Sequence, residues 1–247
     1  GPGGLQGRLV IDGVGERYSA AMVKVQWLDG QVRVYTLTGA QPAVQLFGAA
    51  DDRRGMAEVA STYTGLGVTH ILGGVDHLLF VIALLFLVGF ARRLVWTITA
   101  FTAAHSITLA LSSLGWLNLR PPPVEAGIAL SILLVCSEAL HTRATLARRW
   151  PALIAFLFGL VHGLGFAGAL REIGLPEQHL AVALLGFNLG VEAGQLLTVA
   201  AAGLLVLAWR RLPALAAVSA PARVAALYGI GSLAAWWSID RVLAIGG

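Results

Sequence analysis

Four long stretches of the chain are apolar and almost free of charge. Residues 94–119 and 150–170 contain no charged residue, and residues 59–91 and 178–209 contain one each. A helix of about 20 apolar residues is long enough to cross a bilayer. The pattern therefore predicts a helical membrane protein.

Prolines and paired arginines divide the apolar sequence into six predicted spans. Proline interrupts helices, and arginine stays near the membrane surface, so both mark span ends. We predict spans at about 66–90, 93–114, 124–142, 151–170, 179–208 and 223–244. The fold class expected is an all-α membrane protein with about six transmembrane helices, preceded by a small β-rich segment.

The first 50 residues have a different pattern. Apolar and polar residues alternate at 23–27 and again at 32–36, around Asp29-Gly30, which is typical of a hairpin with a tight turn. One earlier strand is predicted at 8–11. The segment either packs on the membrane part or belongs to a larger domain, and because no cleavable signal peptide is visible we expect the natural precursor to begin further upstream. The predicted divisions are a β-rich segment at 1–50, a linker at 51–65 and a six-helix transmembrane domain at 66–247.

Composition excludes several classes of protein. Apolar residues make up 57% and charged residues 12%, against about half and about a quarter in soluble domains, which excludes a soluble enzyme, a disordered chain and a disulfide scaffold. The net charge of +4 does not indicate a nucleic-acid partner, since the basic residues flank apolar runs instead of forming a patch. The single cysteine, Cys136, lies in an apolar run and is predicted to be a buried, inert thiol.

Arginine is distributed unevenly between the predicted loops. The loops after spans one, three and five hold eight arginines, whereas the loops after spans two and four hold only Arg120 and Arg171. The positive-inside rule places the arginine-rich loops in the cytoplasm. Both termini, and with them the β-rich segment, are then expected to be extracytoplasmic.

Ionisable and amide side chains lie inside the predicted spans, where they are costly and therefore candidates for function. At 1.5 Å per residue, most of them fall in one slab roughly 12–20 Å below the outer surface. Neutral imidazole and carboxylate groups are usual ligands of divalent transition metals, although a purely structural polar network is the alternative. The predicted metal-site residues are His70, Asp76, His77, His105, Glu138, His162, Asn188 and Glu192.

Spacing indicates which of these side chains share a helix face. His70 and His77 are seven residues apart, which returns to nearly the same face of a helix, and the intervening glycines at 73–74 are expected to let another helix approach. His70 is either a ligand or a hydrogen-bonding group at a helix end. Asn188 and Glu192 share a face with Gln195, beside a glycine stripe at 186, 190 and 194.

Other polar residues have simpler interpretations. His141 and His179 lie near predicted span ends and are expected to be interfacial. Glu125 follows the proline run and is interpreted as an exposed acid in a first helical turn. Asp240 and Arg241 are interpreted as a local ion pair at the outer end.

Four strings of sequence carry a family resemblance: THILGGVDHLLF from residue 69, FTAAHSITL from 101, FGLVHGLGFA from 158 and FNLGVEAGQL from 187. Together they resemble the HupE/UreJ family, most closely its branch with an extracytoplasmic N-terminal region, over about residues 60–210. The family is described as nickel or cobalt permeases. The resemblance implies that His70, Asp76 and His77 form a metal motif in the first span, that His162 belongs to a later His-Gly motif, and that the protein is a multi-pass protein of the bacterial inner membrane.

Two classes of function are consistent with this reading. The first is a permease for a divalent transition metal (Ni²⁺, Co²⁺ or Zn²⁺), with an intramembrane His/Asp site in the outer half and with Glu138 and Glu192 as charge partners or an onward relay. The second is an intramembrane zinc hydrolase acting on a lipid or a peptide, although the sequence lacks H-E-x-x-H. A metal sensor or assembly factor is a third alternative. The expected partners are the metal ion and the lipid bilayer.

Overall fold

The computed structural model describes residues 8–14, 16, 20–26, 32–38, 43–45, 55–117, 119–173, 179–211 and 219–245. The strands are β1 (Arg8–Val10), β2 (Ala20–Gln26), β3 (Val32–Thr38) and β4 (Ala43–Gln45). The helices are α1 (Met56–Gly73), α2 (Val75–Val88), α3 (Arg92–Ser113), α4 (Pro121–Leu140), α5 (Leu146–Arg149), α6 (Pro151–Ile173), α7 (Leu180–Arg210) and α8 (Ser219–Leu243).

The strands form two antiparallel pairs ahead of the helices. β2 pairs with β3, with Gln26 opposite Val32, as the alternating pattern predicts, while the turn at Asp29-Gly30 lies outside the described residues. β1 was also expected, and it pairs with β4, which the sequence pattern does not reveal. β3 contacts α6, and Leu37 on β3 is fully buried. The hairpin therefore packs against the helical part.

Fewer helices than the predicted six meet the length and hydropathy that a membrane span requires. Among the described residues, α3, α4 and α7 do so alone, and α1 with α2 does so as a bent pair. The structure thus shows three such helices, or four with the pair counted as one span. The apolar part of α6 covers only Pro151–Phe166. α6 and α8 coincide with the fourth and sixth predicted spans, and their crossing of the membrane stays a prediction.

The first predicted span is broken at Gly74. α1 ends and α2 begins on either side of this residue, and the two helices are bent by 75°. Gly74 has extended backbone angles, and its N–H donates to the carbonyl of His70 at 3.0 Å. α1 also begins at Met56, so residues 56–65, which were predicted to be a linker, are helical.

Glycines allow two pairs of helices to pack with their backbones in contact. α1 and α7 run in parallel, because Gly186 lies against Ala60 and Gly190 lies against Thr64 further along both helices. A side chain at Gly159 on α6 would overlap the carbonyl of Phe101 on α3. The predicted glycine stripe of α7 is therefore a packing surface for α1, as is typical of membrane helices.

Three arginines bind backbone carbonyls near the ends of helices at one end of the bundle. We call this region, which contains Arg93, Arg148 and Arg223, the arginine end. Arg223, early in α8, donates to the carbonyls of Phe86 at 3.2 Å and Ala139 at 2.8 Å, close to the ends of α2 and α4. Arg148 also donates to Ala139, at 3.2 Å, and Arg93 donates to the carbonyl of Arg149. Cationic groups at helix C-termini satisfy carbonyls that have no partner within the helix. Four of the eight arginines from loops predicted to be cytoplasmic thus lie at this end: Arg93, Arg148, Arg149 and Arg223.

Replacing Gly67 by valine is expected to loosen the α1–α7 contact. A Cβ at Gly67 would lie 2.0 Å from the carbonyl oxygen of Phe187, whereas one at Gly65 on the same helix meets nothing within 4 Å. Overpacking typically costs about 1–3 kcal/mol. The Gly67→Val protein should therefore unfold at a clearly lower temperature in detergent, and Gly65→Val should match the unmodified protein. Equal melting temperatures for the two variants would contradict the close packing.

Candidate metal centre

Four imidazoles from four helices lie near one another in the middle of the bundle. His70 is at the end of α1, His77 at the start of α2, and His162 on α6. The ring centroids of His70 and His77 are 4.5 Å apart, and those of His77 and His162 are 5.5 Å apart. The fourth, His105 on α3, is fully buried. The bend at Gly74 brings the first two together, since seven residues of straight helix would separate them by about 10 Å.

Three of these imidazoles share one arrangement, in which one ring nitrogen is bonded to a polar side chain and the other is buried without a partner. The bonded pairs are His77 Nδ1 with Asp76 Oδ1 (2.9 Å), His105 Nδ1 with Asn188 Oδ1 (3.1 Å) and His162 Nε2 with Ser131 Oγ (2.9 Å). The unpartnered atoms are His77 Nε2, His105 Nε2 and His162 Nδ1, together with His70 Nε2.

The partners decide which ring nitrogen carries the proton. Ser131 donates its only hydroxyl hydrogen to the carbonyl of Ile128, at 2.6 Å, so it must accept from His162. Asn188 donates its amide to the carbonyl of Leu184, at 2.7 Å, so its oxygen accepts from His105. An ionised carboxylate such as Asp76 can only accept. In the neutral rings, each unpartnered nitrogen therefore presents a lone pair, and a buried acceptor left unpaired is costly.

Phenylalanine rings surround the imidazoles. The ring of Phe166 lies 3.8 Å from that of His70, and Phe80 and Phe101 lie 4.9 Å and 5.0 Å from His162. Phe187 is stacked against Phe166, with centroids 5.0 Å apart. These rings make the side of the cluster that they cover apolar. The sequence analysis did not single them out, although all four stand inside the strings that carry the family resemblance.

A cavity of about 440 Å³ opens beside this cluster. His162 and His77 in its wall are 1% and 6% exposed, whereas Glu125 and Arg241 are about half exposed, at 41% and 48% of their side chains. The buried histidines thus form its base, and Glu125 and Arg241 form its mouth. The full lining is His70, Gly74, Val75, Asp76, His77, Glu125, Ile128, Ala129, His162, Gly165, Phe166, Trp237 and Arg241.

The mouth contains an ion pair that the sequence analysis assigned differently. Arg241 Nε lies 2.9 Å from Glu125 Oε2, whereas its Nη1 lies 3.9 Å from Asp240 Oδ2. The principal partner of Arg241 is therefore on α4 and not its neighbour in sequence. Glu125 lies near the start of α4 and Arg241 near the end of α8, so the cavity opens away from the arginine end.

A row of polar pairs continues from His105 between α3 and α7. Beyond the His105–Asn188 bond, Thr102 donates to Gln195 Oε1 at 3.1 Å, and Thr99 donates to Glu192 Oε1 at 2.6 Å. Asn188, Glu192 and Gln195 thus share the face that the sequence predicts. From residue 105 to residue 99 the row advances about 9 Å, towards the start of α3 at the arginine end.

Glu138 lies apart from the histidines. It stands two helical turns, about 10 Å, beyond Ser131 on α4, and it accepts a hydrogen bond from Thr145 at the arginine end. The sequence analysis had included it among the residues of the metal site. His141 is exposed, with Nδ1 2.7 Å from the carbonyl of Ser137. His179 immediately precedes α7.

The glycines at 73–74 do not admit a neighbouring helix. A side chain at Gly73 would meet nothing within 4 Å, whereas one at Gly74 would lie 2.9 Å from His77 Nδ1 and 3.1 Å from Asp76 Oδ1. Gly74 therefore leaves room for the Asp76–His77 bond.

Within the described part of the chain, no three His, Cys, Asp or Glu side chains are arranged to hold a metal ion together.

The fold and these residues define a helical membrane protein with a histidine-lined cavity. The family model described as HupE / UreJ protein matches residues 48–241, which is most of the chain, so the chain belongs to the HupE/UreJ family. The family is associated with nickel and cobalt transport. Comparison with curated proteins and with solved structures gave no significant match.

Replacing Gly74 by alanine should displace His77 from Asp76, because the added Cβ would press on both side chains of that bond. Losing the group that orients a ligating histidine typically weakens metal affinity about 10–100-fold. We expect a loss of that size for Ni²⁺ in titration calorimetry of the purified Gly74→Ala protein. Gly73→Ala, at a position with open space, is the control. Unchanged affinity in Gly74→Ala would show that the Asp76–His77 geometry does not matter for the ion.

Proposed function

We propose that this protein is a membrane permease for a divalent transition-metal ion, nickel or cobalt, that binds the ion in the outer half of the membrane. His70, His77 and His162 would close around the ion at the base of the cavity, since the structure does not arrange them to hold one together, and Asp76 would supply negative charge. His105 and Asn188, which are not part of the cavity lining, would receive it next. Both termini and the β-rich segment would be extracytoplasmic, and the arginine end would be cytoplasmic.

The observation that carries this proposal is the set of unpartnered imidazole nitrogens. Three rings are held by Asp76, Asn188 or Ser131 in the tautomer that leaves a lone pair free, and metal-ligating histidines are oriented in this way. A structural network would satisfy both nitrogens of each ring. Imidazole ligands also favour Ni²⁺ and Co²⁺ over Mg²⁺ and Ca²⁺.

The cavity is suited to a hydrated ion. Its volume of about 440 Å³ compares with about 30 Å³ for each water molecule in the liquid, so several waters can accompany the ion. Beyond the cavity, His162 is packed against the apolar rings of Phe80 and Phe101. The ion would therefore exchange its water for imidazole nitrogens and the Asp76 carboxylate at the base of the cavity, where the carboxylate offsets part of the charge.

The polar row between α3 and α7 supports passage towards the cytoplasm. Asn188, Glu192 and Gln195 present oxygen atoms along the interface between α3 and α7. Glu192 is the anionic member, and it is only partly buried. An ion leaving the imidazoles would be received by oxygen ligands on this row. Glu138 would not take part, because it lies on α4, where it accepts a hydrogen bond from Thr145, and not on the helices that form the row.

One observation favours the second function, a zinc-dependent hydrolase. Phe80 and Phe101 pack directly against His162, so they close the base of the cavity. A closed base suits a catalytic site that keeps its metal, with a carboxylate such as Asp76 activating a water. We rank this function second because the polar row beyond the phenylalanines has no role in it.

Removing one histidine of the cluster should abolish both binding and transport. In His77→Ala or His162→Ala, the ion loses a nitrogen ligand in a low-dielectric site, and we expect its affinity to fall more than about 100-fold. The measurements are equilibrium Ni²⁺ binding and uptake of radiolabelled Ni²⁺ into sealed proteoliposomes under an imposed potential. His179→Ala, outside the cluster, is the matched control.

The outcomes separate the two functions. Metal-dependent uptake that the cluster variants lose and the His179→Ala variant keeps would support the permease. Zinc that copurifies with the protein, without flux above that of empty liposomes, would overturn it in favour of the hydrolase. Equal binding in all variants would mean that the histidines are structural.

Neutralising Glu192 should slow transport without weakening binding at the cavity. The Glu192→Gln variant keeps an acceptor for Thr99 but removes the negative charge from the polar row, so an ion leaving the imidazoles is less well stabilised. We expect uptake to fall at least about tenfold, a change of about 1.4 kcal/mol, with an unchanged binding isotherm. Glu138→Gln is the comparison, and it should retain far more uptake. Equal loss in both variants would contradict the proposed path.

A further inference from the structure

The ion pair at the mouth of the cavity joins the two helices that border the opening. Arg241 Nε lies 2.9 Å from Glu125 Oε2, and both residues line the same cavity as His77 and His162. Asp240 is 3.9 Å from Arg241 but is not among the lining residues. Any solute that reaches the histidines through this opening passes Glu125 and Arg241.

An arginine at the mouth of a cavity that admits divalent cations is unexpected. An unpaired guanidinium would repel an arriving M²⁺ ion, and the repulsion is greatest where the low-dielectric walls of a cleft focus the field. Here Glu125 neutralises it. The same pairing occupies Glu125 Oε2, so a cation that binds this carboxylate competes with Arg241.

This competition affects different cations unequally. Mg²⁺ and Ca²⁺ depend on carboxylate and other oxygen ligands, so a carboxylate already occupied by arginine holds them poorly. Ni²⁺ and Co²⁺ bind imidazole well, and they gain the nitrogen ligands at the base of the cavity after they have passed. Competition from Arg241 at the mouth therefore weakens the binding of Mg²⁺ and Ca²⁺ more than that of Ni²⁺ and Co²⁺.

We propose that Glu125 and Arg241 act as a charge filter at the mouth of the cavity: Glu125 receives the arriving dication, and Arg241 competes for that carboxylate and so discriminates against Mg²⁺ and Ca²⁺. The pair determines specificity and does not belong to the imidazole site itself. The inference rests on the proposed permease function.

The test uses three variants of the full chain in proteoliposomes: Glu125→Gln, Arg241→Gln and the double variant. Ni²⁺ uptake is measured over a range of concentrations, with and without excess Mg²⁺. Partly exposed charge pairs have modest effects, so changes of about threefold to tenfold are expected. Asp240→Asn, which removes a carboxylate near Arg241 but outside the cavity lining, is the matched control and should change these values least.

The filter predicts an asymmetric pattern. Arg241→Gln frees Glu125, so Mg²⁺ should inhibit Ni²⁺ uptake about threefold to tenfold more strongly. Glu125→Gln leaves Arg241 unpaired, so the KM for Ni²⁺ should rise more than the maximal rate falls. The double variant has neither charge, and its KM should be lower than that of Glu125→Gln.

A purely structural link between α4 and α8 predicts a different pattern. Both single variants and the double variant would then lose thermal stability and maximal rate alike, with Mg²⁺ inhibition unchanged, and this result would overturn the proposal. The proposed permease function would itself be wrong if the unmodified protein showed no Ni²⁺ uptake, and this outcome is distinct from failure of the filter. Uptake that depends on His77 and His162 but has the same Mg²⁺ sensitivity in Arg241→Gln would refute the filter alone.

Discussion

The bend at Gly74 is the constraint on which the candidate site depends. A continuous helix would place His70 and His77 two turns apart, whereas the 75° break brings their rings within 4.5 Å. The break also places Asp76 in the first turn of α2, where the helix dipole favours a carboxylate, and in reach of the His77 ring. The bend lies at Gly74, where the absence of a side chain leaves room for the Asp76–His77 bond.

Helix packing holds the remaining members of the cluster around this break. α6 contacts the backbone of α3 through Gly159 and through Gly163, whose Cβ would lie 2.3 Å from the carbonyl of His105. That contact brings His162 and His105 into one layer. α7 is held against α1 by its glycine stripe, which positions Asn188 to orient His105. Small residues therefore determine where the imidazoles lie, and polar residues determine which nitrogen each of them leaves free.

The sequence predicted most of the secondary structure and most members of the cluster, because charge-free runs and buried ionisable residues are local signals. The Gly74 break was missed because a Gly-Gly pair within an apolar run is also typical of helix packing. Glu138 was grouped with the histidines by its estimated depth alone, which carries no information on its bond from Thr145. The Glu125–Arg241 pair joins residues more than one hundred positions apart, and no local pattern predicts such a contact. The role of Ser131 in orienting His162 depends on a contact between two helices, which no local pattern reveals.

The position of Arg223 limits the motions that are available to the bundle. One guanidinium group bonds the carbonyls of Phe86 and Ala139, so the ends of α2 and α4 and the start of α8 are joined at a single point. Separating any two of them would expose carbonyls that have no helical partner. The three helices are consequently coupled where they meet at the arginine end.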